Sequence, residues 1–321
     1  MTTVWLVSVT GRTADILHNR RIPNIAVNRP LLSPAPAGRA QILAVAGTIG
    51  VLGGGAGSAP RIVAALCDPQ VEASEVTRLL SVEPALCARV LRVANSALYG
   101  QTQSVRSLDR ALMVLGLDAV RGIAAAACLD RVLVGHKNMK LDIDTVVQHS
   151  QATAAGADYL ARHRFPDLAP DAFIAGLLHN LGTVVQMYID PNGIAALLAA
   201  RQTGDRRELP LLEAELAAVG HEECGAVIFE EWRLPPAFIA TARYHHSPLR
   251  APPSDQRLVC LINVASALAL AGGSGTALEL GGVPADAGAL QCLGLDQEQL
   301  TEAAKGIAAR MAEMQQAMLA A

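Results

Sequence analysis

From Ser58 onward, short apolar faces recur at helical spacing and polar caps or prolines separate them. Ser58 can cap a helix through Cys67, because a serine hydroxyl accepts an amide proton left unpaired in the first turn. Asp68-Pro69 breaks it. Ser74 is read as the cap of a helix with Val76, Leu79 and Leu80 on one face. Pro84 opens the next at a favoured first-turn position, aligning Leu86, Val90, Leu91 and Ala94, and that helix runs into Asn95-Ser96. Ser107 caps a segment ending at Gly116, and Asp118 starts one reaching Val134. Further helices are predicted at 144–164, 171–189, 192–203, 210–219, 221–232, 235–246, 255–271 and 296–319. No run alternates strictly enough for a strand, and no repeat of fixed period occurs. The fold class is all-α.

Residues 1–57 break the pattern. Arg12, Arg20, Arg21, Arg29 and Arg39 face a single acid, Asp15, and Pro23, Pro30, Pro34 and Pro36 interrupt any helical period. The expectation is a disordered arm, or upstream sequence read from a misplaced start, whose removal leaves stability unchanged. The turn-rich Gly135-His136-Lys137-Asn138 is the best internal boundary. The expected organisation is therefore the arm at 1–57, an N-terminal helical half at 58–135, a second helical half at 136–271, and a loop with a C-terminal helix at 272–321.

Composition narrows the function classes. The chain has 321 residues, 51% hydrophobic and 17% charged, so it can bury a sizeable core. Aromatics are 3%, which leaves the packing to Ala, Leu and Val. A net charge of −3 argues against a broad nucleic-acid footprint or a polybasic membrane face. Two uncharged stretches imitate membrane spans. Gln41 to Pro60 is too rich in glycine, and Leu258 to Leu278 fits a buried helix that ends in a glycine-rich loop. The six cysteines show no CxxC spacing and read as free thiols in a reducing cytoplasm.

Candidate chemistry lies in the histidines. His149 sits in a helix lined by Val146, Ala152 and Gly156, and His179-Asn180 interrupts the apolar run 173–182. His221 opens a helix, while His245-His246 closes one. Imidazoles in such surroundings need a partner or a metal.

Leu177-Leu-His-Asn-Leu-Gly182 resembles the His-Asp signature of HD-superfamily phosphohydrolases, with Asn180 at the aspartate. His149 matches that superfamily's first histidine. His221 with Glu223 and Gly225, Trp232-Arg-Leu-Pro235 and Tyr244-His-His-Ser-Pro248 match its later motifs. The stretch Val82-Glu-Pro-Ala-Leu-Cys-Ala-Arg-Val-Leu-Arg-Val-Ala-Asn-Ser-Ala-Leu-Tyr-Gly100, followed by Ser107-Leu-Asp-Arg-Ala-Leu-Met-Val-Leu-Gly116, resembles the hallmark of the HDOD branch. The resemblance covers residues 55 to 270. It implies an HD-like helical domain preceded by a helical bundle, in a bacterial, cytoplasmic signalling or regulatory protein. Members are associated with two-component or cyclic-di-nucleotide pathways.

The departures from the catalytic pattern shape the functional expectation. Asn180 offers one neutral carbonyl where the hydrolases bridge two cations with an aspartate. Asn263 stands where a late aspartate is expected, and Thr183 where the related HD-GYP phosphodiesterases carry lysine. Two cations bring +4, and Glu222 and Glu223 together supply at most −2. A two-metal phosphodiester site is therefore not expected. The cofactor is none, or a single Zn, Ni or Fe ion on His149, His179, His221, His245 and His246. The expected activity is regulation through a signalling protein partner. The alternatives are a residual metal-dependent phosphohydrolase and a metal or small-ligand sensor without turnover. Asn95, Ser96, Asn180 and Asn263 are the ligand- or partner-binding candidates.

Overall fold

The computed structural model describes residues 38–44, 58–81, 83–96, 99, 104–133, 142–279 and 285–319. Among them all regular structure is helical. After α1 (38–44) come α2 (Ser58–Cys67), α3 (Ala73–Ser81), α4 (Pro84–Ala94), α5 (Leu108–Leu115) and α6 (Leu117–Leu133). The long α7 (Ile143–Arg164) leads to α8 (Ala169–Leu178), α9 (Leu181–Ile189), α10 (Pro191–Gln202) and α11 (Leu209–Leu216). Then follow α12 (His221–Glu231), α13 (Pro236–Tyr244), α14 (Gln256–Ala271), α15 (Ala287–Leu293) and α16 (Gln297–Leu319).

Helices α2 to α6 pack on one another as an N-terminal layer, with α6 resting on α7 and α8. At the seam, the buried Arg121 of α6 donates from Nε to the Leu66 carbonyl at 2.6 Å, and its Nη2 lies 3.6 Å from Asp171 of α8. One guanidinium thus ties α2, α6 and α8 together. Beyond the seam, α7 packs along α8, α14 and α16, while α9 lies on α12 and α12 on α13. The core is mostly aliphatic, with Phe229 and Phe238 fully buried in it. Leu177 and Leu178 are buried, whereas Phe173 is only partly so and packs its ring against Gly122.

Most helix bounds agree with the spacing of apolar positions, and the differences have local causes. Ser107 does cap α5, accepting from the Arg110 amide at 3.2 Å. Ser74 does not cap α3. The helix starts at Ala73, the Glu72 carbonyl accepts from Glu75 and Val76, and Ser74 donates to the Glu72 carboxylate. The expected helix 171–189 is two helices that turn at His179-Asn180. The unexpected α15 is capped by Asp286, whose side chain accepts from the Ala289 amide, and ends at the left-handed Gly294 (φ 62°).

The disordered-arm expectation is corrected at 38–44. That segment is helical, Ile42 is fully buried in the core, and Arg39 pairs with Glu230 of α12 at 2.9 Å. The rest of 1–57, the turn 135–138 and the side chain of Cys128 lie outside the described residues, as does most of the stretch 41–60. Among the described residues Cys67, Cys87, Cys224, Cys260 and Cys292 form no disulfide. Among the described residues one helical stretch is long and apolar enough to cross a membrane, Pro166–Ile189, and 83% of its apolar window is buried in the fold.

Candidate functional site

Close helix contacts bring the five histidines together. Gly176 of α8 lies over the α7 backbone, where a Cβ would come within 2.8 Å of the Ala154 Cα. Gly182 of α9 lies against α12 so closely that a Cβ would collide with the His221 carbonyl. Only glycine permits either approach. The two contacts set His149 (on α7) and His179 (ending α8) beside His221 (opening α12) and His245-His246 (following α13). Ring centroids are 5.3 Å apart for His149 and His179, 5.0 Å for His179 and His245, and 5.1 Å for His221 and His245. His246 completes the group at 4.4 Å from His245.

Four of the rings are anchored in the same way. The Nδ1 of His149 lies 2.8 Å from the Ser274 carbonyl, that of His179 2.7 Å from Gly176, and that of His245 3.0 Å from Ala242. The Nδ1 of His221 lies 2.8 Å from the Glu213 carboxylate. Each acceptor fixes the proton at Nδ1, which leaves Nε2 for the interior of the cluster. There the His221 and His245 Nε2 atoms stand 3.1 Å apart, and the Nε2 atoms of His179 and His246 are buried without a hydrogen-bond partner. Ser266 approaches the His149 Nε2 at 3.3 Å.

The charge count based on Glu222 and Glu223 missed two carboxylates that the fold brings to the cluster. Glu213 of α11 is buried and accepts from both the amide and the ring of His221. Glu279, on the loop after α14, is also buried; its Oε1 accepts from the Asn180 amide at 3.1 Å and lies 3.7 Å from the His149 Nε2. The two glutamates first considered are used elsewhere. Glu223 pairs with Arg243, and Glu222 accepts from the His246 amide at 3.3 Å. A signal for Glu213 exists in the sequence: Leu209, Leu212, Glu213 and Leu216 share one helical face. Glu279 is the charge that ends the uncharged run 258–278.

Burial, helped by neighbouring imidazoles, pushes His179, His245 and His246 well below the ordinary histidine range. Burial acts the same way on His221, but the charge and hydrogen bond of Glu213 outweigh it and lift the ring to about 9. Burial would raise the Glu279 carboxyl; the imidazoles of His149 and His179 and the Asn180 hydrogen bond reverse that and hold it below its usual value.

The asparagine candidates separate. Asn180 is inside the cluster, with its Oδ1 buried and unpartnered. Asn263 is not available for a ligand: its Nδ2 donates to the His245 carbonyl at 2.8 Å and its Oδ1 accepts from the Asp286 amide at 2.9 Å. Asn95 is likewise committed, donating to the Leu91 and Val105 carbonyls and accepting from the Val105 amide. Its amide fixes the chain after α4 instead of facing a partner. Ser96 and Thr183 are buried.

A single transition metal fits these donors. The candidate ligand atoms of His221, His245 and His246 all lie within 4.8 Å of one another. Tetrahedral ligation at about 2.0–2.1 Å places two nitrogens roughly 3.3 Å apart, close to the His221–His245 separation. The inward Nε2 atoms of His221 and His245, each backed by an Nδ1 hydrogen bond, have the arrangement such ligands need.

Comparison with known proteins identifies the family and the fold. The HDOD domain model matches residues 56–248. A curated relative, an uncharacterised protein of Treponema pallidum (strain Nichols), is 28% identical over 204 residues, which are 63% of this chain and 39% of that protein. The chain thus spans well under half of that relative's length. Among solved structures, an HDOD domain protein of unknown function from Geobacter sulfurreducens aligns with a TM-score of 0.59 at 23% identity, over 82% of this chain and 88% of that one. A candidate signal transduction protein from Marinobacter aquaeolei VT8 gives 0.67 at 22%, over 95% and 68%. A candidate phosphohydrolase from Shewanella amazonensis SB2B gives 0.57 at 23%, over 84% and 98%. These likenesses establish the fold, and the family match establishes more: the chain belongs to the HDOD domain family.

Proposed function

We propose that this chain is a non-catalytic signalling module that acts by binding a protein partner, and that its histidine cluster holds one transition-metal ion without turnover. The observation that carries this reading is closure. His149, His179, His221 and His245 are 0%, 1%, 1% and 2% exposed, and Asn180 among them is 2% exposed. A phosphoester needs open positions on its metal and a path to them, whereas a structural or sensing ion needs neither. Asn180 supports the same conclusion, since its amide donates to Glu279 and its one carbonyl cannot bridge two cations. A signalling role also accords with the description of the Marinobacter structure. The partner would belong to a two-component or cyclic-di-nucleotide pathway, as the family resemblance implies.

The rival reading is a residual phosphohydrolase, favoured by the retained histidines and by the description of the Shewanella structure. Elemental analysis of the purified chain, beside hydrolysis of an aryl phosphodiester and of cyclic dinucleotides with added Mn(II), separates the two. The expected result is one ion or fewer per chain and no turnover above background. Two ions with turnover that His179→Ala abolishes would establish the enzyme.

A further inference from the structure

We propose that Glu279 supplies the carboxylate ligand of the cation site, the part that residue 180 cannot play. It faces His149 and so adds a carboxylate to the imidazole donors of the cluster for a divalent ion such as Fe(II), Mn(II) or Zn(II). This rests on the reading of the cluster as a metal site and adds to it a ligand from outside the family-matched segment.

The argument begins with two facing acceptors. The His149 Nδ1 proton is committed to the Ser274 carbonyl, so Nε2 presents its lone pair. Opposite, at 3.7 Å, stands the Glu279 Oε1. A lone pair facing a carboxylate oxygen is repulsive unless a proton or a metal cation lies between them. Next to them the His179 Nε2 is buried with no partner. No arginine or lysine among the described residues pairs with the Glu279 carboxylate; its hydrogen bonds come from the neutral Asn180 amide and the Thr276 hydroxyl. Arg201 comes near but spends its guanidinium on the carbonyls of Leu278, Asp205 and Arg207. A buried carboxylate held by neutral donors and imidazoles, with no arginine or lysine partner, is costly, and a metal cation on the neighbouring imidazoles lowers that cost.

The loop is built to hold this position. Thr276 Oγ1 accepts from the amides of Leu278 and Glu279 and donates to the Glu279 Oε2 at 3.2 Å. Arg201 holds the Leu278 carbonyl at 2.6 Å, and Ser274 supplies the acceptor that orients His149. The loop therefore aligns the carboxylate and its facing histidine together.

The test is metal affinity of the full chain, stripped by chelation and titrated with Zn(II) or Mn(II) against a fluorescent chelator. Glu279→Gln keeps an acceptor oxygen for Asn180, removes the charge and replaces the oxygen that accepts from Thr276 with an amide donor. It should weaken binding by on the order of 10–100-fold, and adding Asn180→Asp should recover much of the loss by returning a carboxylate from the facing side. If Glu279→Gln folds poorly, Glu279→Asp serves, with an affinity expected below wild type. Unchanged affinity in either folded variant overturns the assignment while leaving the histidine site standing. A wild type that binds neither ion overturns both.

Discussion

His221 and His245 meet Nε2 to Nε2 at 3.1 Å. Both Nδ1 protons are committed, one to the Glu213 carboxylate and the other to the Ala242 carbonyl. Two lone pairs at that separation repel, so a proton must sit on one of them. Glu213 decides which: it lifts His221 to about 9 against the effect of burial, so His221 donates to His245 at neutral pH. A metal on these nitrogens displaces that proton. Zinc uptake at pH 7.5 should therefore release about one proton per ion. Calorimetric titration in two buffers of different ionisation enthalpy measures it, and a buffer-independent heat contradicts the relay.

The same groups shape acid and alkaline stability of the metal-free protein. His179, His245 and His246 have folded values well below the ordinary imidazole value, so below about pH 6.5 the unfolded chain takes up protons that the folded chain refuses. Stability falls on that side. His221, raised to about 9, contributes stability that is complete below about 6.5 and is lost as pH rises through 9. Melting temperature should peak near pH 6.5 to 7 in the presence of a chelator, roughly the unperturbed imidazole range. Glu213→Gln should flatten the alkaline limb and leave the acid limb in place.

Leu178 is 2% exposed and immediately precedes His179. Leu178→Ala should cost about 2–5 kcal/mol in denaturant unfolding, the usual range for a buried leucine. A change below 1 kcal/mol, roughly the scale of a surface substitution, would mean that the end of α8 packs differently.

Ile42 reverses an expectation. Its side chain is fully buried and Arg39 reaches Glu230, which also pairs with Arg243. Ile42→Ala should destabilise by about 2–5 kcal/mol, and removal of residues 1–55 should lower the melting temperature. An unchanged melting curve for both would return this segment to the status of a loose arm.

The helices were legible because their signals are local. Cap residues, prolines and apolar spacing placed α7, α10, α12, α14 and α16 within a few residues. The family motifs named His149, His179, His221, His245 and His246 correctly as neighbours. What escaped was set by tertiary contact. Glu213 lies in another helix from the ring it supports, and Glu279 follows a glycine-rich turn with no periodicity to place it. The break at His179-Asn180 escaped for a related reason. The run 171–189 is largely apolar on both sides of His179-Asn180, so the polar pair reads as a site within one helix, and His179 bonding back to the Gly176 carbonyl appears only in three dimensions. Asn95 and Asn263 looked exposed to a ligand because sequence cannot show that their amides are already committed.

The amide of Asn263 has a consequence for how the protein should be divided. By holding the His245 carbonyl and the Asp286 amide at once, it joins the last histidine pair to the entrance of α15. Ser266, Ser274 and Glu279, which surround His149, also lie beyond residue 248, where the family match ends. The family match and the histidine cluster therefore have different borders in this chain. A fragment cut at residue 248 would keep all five imidazoles yet lose the acceptor that orients the first, the carboxylate that faces it and the clamp on the fourth. The smallest piece able to carry the site's chemistry extends at least through Asp286, and the C-terminal helices belong to it rather than forming an appendage.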